Sequence, residues 1–244
     1  MFMCDKRIPK GRKLNTENIR VQEEKEPFVE VSSYTRGKIL VDMQYKKTGR
    51  EGAIELAYLR KAVVDKLLCA IDYLPKGYTF KIFDGWRPFA VQKSLYEEYY
   101  NKLKEKEPYL PEEELREKAK TFVSFPDKSK KFSYVHSSGG AVDLTVVDEK
   151  GEELSMATPF DDFSLLSNTD ALEDIEGFSV ERENRRILYY AMTRVGFTNY
   201  PSEWWHYDYG DIFWGATTGE PAKYPSVYTK EEMILGNTNG EGKI

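Results

Sequence analysis

The sequence predicts a single α+β domain, an antiparallel central sheet with flanking helices. Three observations carry that prediction. Helix-patterned and strand-patterned segments alternate along the 244 residues without the regular rhythm of a parallel sheet. The run AVDLTVV at 141–147 is β-branched and reads as a central strand. No repeat and no linker divides the chain, so residues 31–228 read as one domain. On either side, a charged arm (1–30) and a tail (229–244) are expected to be flexible.

The elements follow in order. VEVSSY and KILVDMQY read as short strands. In AIELAYLRKAVVDKLLCAIDYL, apolar residues recur near helical spacing at Ile54, Leu56, Leu59, Val63, Leu67, Cys69, Ile71 and Leu74, and Gly77 closes the segment. YTFKIFDG alternates as a buried strand does. Pro88 opens a helix through SLYEEYYNKL, and Pro111 opens an acid-rich one, EEELREKAKTF, expected on the outside. ERENRRILYYAMTRVGF is amphipathic, with Ile187, Leu188, Ala191, Met192 and Val195 inward and Gly196 at its end. FTNY and EWWHYDY are the last strands, and the chain beyond Tyr224 is turn-rich.

Bulk composition narrows the function. A net charge of −5 argues against electrostatic binding of nucleic acid. No apolar run approaches the roughly 18 residues of a membrane span. The first residues, MFMCDKRIPKGRK, hold no apolar signal core, so a cytoplasmic protein is expected, or an exported one if a signal has been trimmed away. Cys4 and Cys69 belong to no metal-spaced pair, and no structural disulfide is expected. A homo-oligomer is compatible with all of this.

The chain holds two histidines, and both lie beside acids, glycines and aromatics. HSSGGAVD places His136 seven residues before Asp143, with Gly139 and Gly140 allowing a tight turn between them. EWWH places Glu203 three residues before His206. Residues three apart on a strand face opposite sides, so a turn or bulge is needed to aim both at one centre. Imidazole and carboxylate suit first-row metals. His136, Asp143 and His206 are therefore candidate ligands, with Glu203 outside them to take a proton from a metal-activated water. A histidine among tryptophans is more often a satisfied, partly buried residue than a ligand. Asp143 is the more telling member, because a carboxylate in an apolar strand is costly to bury unless it is paired or metal-bound.

These segments resemble the VanX-type D-alanyl-D-alanine dipeptidases. That family belongs to the zinc D,D-peptidases that share a fold with the hedgehog signalling domain. The likeness rests on HSSGGAVD and EWWH, on FDGWRP at 83–88 against D-x-x-R-P, and on MATPFDDF at 156–163 against M-G-T-x-F-D. NRRILYYAMTRVGF resembles the helix before E-x-W-H, and order and spacing agree over roughly residues 40–225. The resemblance implies one Zn2+ per chain on His136, Asp143 and His206. It makes Glu203 the general base and later proton donor, and Arg87 the holder of the developing oxyanion. Asp161, rather than its neighbour Asp162, would read the ammonium group of a small dipeptide substrate, although an aspartate in PFDDFS also suits a turn. Tyr45 matches the family's substrate-side tyrosine.

The departures are specific. Tyr134 stands where the family has a serine two residues before the first histidine, and VDMQYKKTGREGA lacks the family's Asn-Phe. Of Trp204 and Trp205, one is expected to face the core and the other the opposite side. Three alternatives stand beside the dipeptidase. The first is a zinc D,D-carboxypeptidase or L,D-endopeptidase of peptidoglycan stems. The second is a non-haem iron site, whose first pair is commonly spaced H-x-D. The third is a zinc-holding module without turnover, which would have no use for Glu203 and Arg87.

Overall fold

The computed structural model describes residues 6–120 and 122–238. Its centre is a five-stranded sheet in the order β2-β4-β5-β7-β6. The strands are β2 (Leu40–Val41), β4 (Thr79–Asp84), β5 (Ala141–Val147), β6 (Thr198–Asn199) and β7 (His206–Asp208). The pairings β4–β5, β5–β7 and β6–β7 are antiparallel, as predicted, and edge strand β2 joins β4 in parallel. A separate antiparallel pair is formed by β1 (Phe28–Glu30) and β3 (Tyr58–Arg60).

β5 is buried along its whole length. Val142, Leu144 and Val146 enter the main core, and strand alternation turns Asp143 and Thr145 to the opposite face. That core is shared with α3 (Lys61–Ile71), through Val63, Val64 and Leu67, and with α6 (Ser179–Arg194), through Leu188, Ala191 and Met192. Truncating a fully buried leucine such as Leu188 to alanine costs about 2–5 kcal/mol in comparable cores.

Several elements depart from the sequence reading. The predicted strand VEVSSY turns after Glu30 into α1 (Val31–Thr35), because the Glu30 carboxylate accepts from Ser32 N and Ser33 N, each at 2.8 Å. The long helix read from residue 53 begins only at Lys61, since Tyr58–Arg60 pair with β1 instead. Phe89–Lys106 forms α4 and Glu112–Lys120 forms α5. The latter is not wholly external: Leu115 and Ala119 pack against Tyr96, Tyr100 and Leu103 in a small second core. Short helices α2 (Gln44–Lys47), α7 (Ile212–Thr218) and α8 (Lys230–Thr238) complete the fold, and Met233 of α8 packs on Phe28 and Trp86.

The N-terminal arm has little regular structure, yet it lies against the body. Ile8 is buried, and its amide donates to Glu173 at 2.9 Å. Val21 bridges to Ala222. Residues 1–5 and 239–244, parts of the expected arm and tail, lie outside the described residues. Among the described residues no helix is long and apolar enough to cross a membrane.

Candidate active site

Three neighbouring strands deliver three polar residues in one row. In the antiparallel registers, Asp84 of β4 pairs with Asp143 of β5, and Asp143 pairs with His206 of β7. His136 arrives from outside the sheet, on a single helical turn (Val135–Ser138) that leads into β5. Gly139 ends that turn with φ of 72°, and a Cβ there would lie 2.2 Å from the Phe28 ring. A glycine is required at that position for both reasons.

The side chains of His136, Asp143 and His206 converge, all three buried, with one potential ligand atom from each within 4.8 Å of the others. His136 Nδ1 donates to Gly85 O at 2.8 Å, which leaves Nε2 as a lone-pair donor 3.3 Å from Asp143 Oδ2. His206 Nε2 donates to Asp208 Oδ1 at 2.8 Å, which leaves Nδ1 facing Asp143 Oδ1 at 2.9 Å and His136 Nε2 at 3.2 Å. The outer partners thereby select the tautomers and point two unprotonated nitrogens and a carboxylate at one spot. Converging lone pairs of this kind fit a cation, and two imidazoles with one carboxylate suit a first-row metal such as zinc. The surrounding carboxylates favour positive charge at this spot: burial opposes charge on His206, but Asp208 and Asp143 outweigh it and raise its pKa well above the ordinary value, so a metal ion would take the place of a proton on the inward nitrogen. Burial likewise opposes charge on Asp143, and the two histidines hold it ionised.

Arg87 follows β4 by three residues and closes one side. Its Nε donates to Asp84 at 2.6 Å, Nη1 to Gln92 Oε1 at 2.8 Å and Nη2 to Asp143 Oδ2 at 3.2 Å. This is a buried, fixed guanidinium rather than a surface ion pair. Its planar group lies 4.9 Å from the centre of the Tyr45 ring.

Glu203 closes the other side. The chain before β7 is turned rather than extended, so Glu203 and His206 face one centre although they are three apart, with Glu203 Oε2 3.8 Å from His206 Nδ1. The turn is held by Asn199 Nδ2, which donates to Glu203 O and to His206 O, each at 3.0 Å. Burial pushes the Glu203 carboxyl up to about 8. The same turn removes the predicted alternation of the tryptophans: Trp204 and Trp205 are both buried in the main core.

Asp161 sits on the far wall in a left-handed conformation, φ 60°, and shares the cavity lining with Tyr45. Burial raises its pKa to about 6. Asp162 takes the turn role, accepting from Ser164 N at 3.1 Å and Ser164 Oγ at 2.9 Å. All seven predicted site residues, namely Tyr45, Arg87, His136, Asp143, Asp161, Glu203 and His206, line one cavity of about 300 Å3. Tyr134, at the position of the missing serine, lines it too, and its hydroxyl is spent on Arg87 O at 2.9 Å.

Sequence reasoning assigned no role to Asp84, Gln92 or Asp208. Asp208 was findable, because in HYD it stands two residues after His206 and so shares its face of the strand. Asp84 lies in the quoted FDGWRP segment, whereas nothing in the sequence marks Gln92, which reaches Arg87 from α4.

The fold and the site together define a class: an α+β protein with a two-histidine, one-aspartate cluster on the floor of a cavity, flanked by a glutamate and a fixed arginine. The family model described as D-ala-D-ala dipeptidase matches residues 43–227, and the chain belongs to that peptidase family. Among curated proteins it is similar to a D-alanyl-D-alanine dipeptidase of Synechocystis sp., 26% identical over 175 residues that cover 64% of this chain and 70% of that protein. A D-alanyl-D-alanine dipeptidase of Enterococcus faecalis is 32% identical over 159 residues, covering 62% and 67%. A fainter likeness extends to a mutant of the vancomycin-resistance D,D-pentapeptidase VanY solved with Zn(II). The identity is 18% and the TM-score 0.42, over 75% of this chain and 88% of that one.

Proposed function

We propose that this chain hydrolyses D-alanyl-D-alanine, or a closely related small D,D-dipeptide, with one zinc ion held by His136, Asp143 and His206. The observation that carries the reading is the convergence of those three side chains between Glu203 and Arg87 in one cavity. Zinc supplies Lewis acidity there and brings the pKa of an attacking water to about 7.

The chain's own residues do the rest. Glu203 accepts the proton that water gives up as it adds to the scissile carbonyl carbon, and delivers it to the departing amine as the C–N bond breaks. A carboxyl raised by burial is suited to both halves of that exchange. Arg87 has five N–H groups, of which Asp84, Gln92 and Asp143 engage three. Two remain to hold the carbonyl oxygen as it becomes an oxyanion, and the ion pairs fix the guanidinium before the charge develops. Asp161, on the same wall as Tyr45, pairs with the substrate ammonium. The products are two free amino acids.

A second reading has one observation in its favour. A neighbouring cavity of about 470 Å3 shares Tyr45, Arg50 and Asp161 with the first, and offers room for residues on the amino side of a longer stem peptide. The test is release of D-alanine from D-Ala-D-Ala by the zinc-loaded protein, with L-Ala-L-Ala and a stem pentapeptide alongside. Cleavage of the D,D-dipeptide alone supports the dipeptidase. Cleavage of the pentapeptide in its place moves the chain to the carboxypeptidase branch, and turnover of neither refutes both.

A further inference from the structure

Helix α6 carries a buried arginine that the chemistry above does not use. Arg185 is 1% exposed and does not line the catalytic cavity. Its described hydrogen bonds all go to backbone carbonyls: Nε to Met156 O at 3.0 Å, Nη2 to Met156 O at 2.6 Å and Leu166 O at 2.9 Å, and Nη1 to Asn168 O at 2.8 Å. Met156 stands at one end of a loop, and Leu166 and Asn168 at the other. One guanidinium thus clasps both ends, and the loop between them carries Asp161 in its left-handed conformation.

The same loop is tied to the turn of Glu203. Trp204 Nε1 donates to Thr158 Oγ1 at 2.9 Å, Thr158 and Ser167 share a hydroxyl hydrogen bond of 3.0 Å, and Trp204 N donates to Ser167 O at 3.1 Å. Just past the clasp, Thr169 Oγ1 donates to Glu203 O at 3.2 Å. The wall that faces the substrate amine and the base that serves its carbonyl therefore share one hydrogen-bonded frame.

We propose that Arg185 is a positioning residue that sets Asp161 against Glu203, so that recognition of a free substrate amine depends on a side chain that never touches the substrate. The inference rests on the proposed role of Asp161. A planar fork with fixed donor directions can hold several carbonyls at set spacing, whereas a lysine ammonium is a single point charge. Loss of the clasp releases the loop to many conformations, and small misplacements of a binding group are expensive.

The experiment compares kcat/KM for D-Ala-D-Ala and for N-acetyl-D-Ala-D-Ala in zinc-loaded wild type, Asp161→Asn, Arg185→Lys and Thr158→Val. The acetylated peptide has no ammonium for Asp161 to read. Arg185→Lys is expected to lower the preference for the free amine about tenfold or more, chiefly through KM, with kcat within about threefold. Asp161→Asn should do the same. An equal loss on both substrates in Arg185→Lys, or an unchanged ratio beside a lowered one in Asp161→Asn, overturns the clasp. An unchanged ratio in Asp161→Asn refutes the role of Asp161 itself, and the clasp falls with it. If Arg185→Lys does not fold, Thr158→Val cuts the frame at another point. It should lower the ratio about threefold, and an unchanged ratio there overturns the proposal.

Discussion

The site has two halves built by different means. Asp84, Asp143 and His206 stand in a row on three hydrogen-bonded strands, where backbone register alone sets their spacing. His136, Glu203 and Asp161 come from turns and a loop, each fixed by side-chain bonds to backbone: Gly85 O for His136, Asn199 for the Glu203 turn, Arg185 for the Asp161 loop. The two halves divide the labour. The candidate ligands are carried mainly by the sheet, and the groups proposed to move protons or read the substrate sit on elements that side chains can retune. It also makes the two halves separable by mutation.

The largest effect is expected in the sheet half. His206→Ala removes a proposed ligand from the row, and metal analysis should find zinc lost from a folded protein with turnover gone; stoichiometric zinc in that variant would break the ligand assignment. Glu203→Ala strikes the turn half. It should keep zinc while kcat falls about 10²–10⁴-fold, the range of general acid–base catalysis, and a zinc-loaded variant with retained turnover removes Glu203 from the chemistry.

Asp208→Asn tests whether the row depends on its outer support. The His206–Asp208 bond fixes which ring nitrogen faces inward. Competition with a chelator should show zinc held about 10–100-fold more weakly, with the sheet register intact. Unchanged affinity would mean that the strands alone orient the ring.

The loop half is expected to carry a pH signature. Asp161 has a pKa raised by burial to about 6, and in its proposed role it can pair with an ammonium only when ionised. Its protonated form grows as pH falls, so kcat/KM for the free dipeptide should drop about tenfold per unit below the inflection. The positive charge of a bound metal moves that inflection below 6. The acetylated dipeptide should lack this limb, and finding the limb in both substrates would assign it elsewhere.

The smallest effect concerns the N-terminal arm, a segment held without a sheet. Burial opposes the charge of Glu173, but Arg186 at 2.9 Å and the Ile8 amide at 2.9 Å depress its pKa below the ordinary value. A depressed carboxyl contributes stability that is present above its unfolded value, about 4.3, and is lost as pH falls through the folded value. The hydrogen-exchange protection factor of Ile8, taken against the intrinsic rate at each pH, should therefore fall below about pH 4, ahead of those of the β5 amides. Equal loss of protection in both places would mean that the arm is not held by Glu173.

Legibility followed the same division. AVDLTVV and YTFKIFDG are dominated by alternation and β-branching, and both became central strands. The ligand candidates were readable because a carboxylate in an apolar strand is anomalous and because EWWH needed a turn, which the structure has. What escaped was decided by distant partners. Tyr58–Arg60 carries a helical pattern but pairs with β1, and VSSY carries a strand pattern but is capped by Glu30. Gln92 and Arg185 matter through what folding brings to them, Arg87 in one case and four carbonyl bonds in the other. Local sequence holds no record of such partners.

The most direct test of the central claim is an anomalous difference map, at the zinc edge, from crystals of the zinc-loaded protein. One strong peak is expected about 2.0–2.2 Å from His136 Nε2, His206 Nδ1 and an Asp143 oxygen, with Glu203 beyond bonding distance. A peak elsewhere, or one that engages His206 through Nε2 in place of Asp208, would contradict the claim.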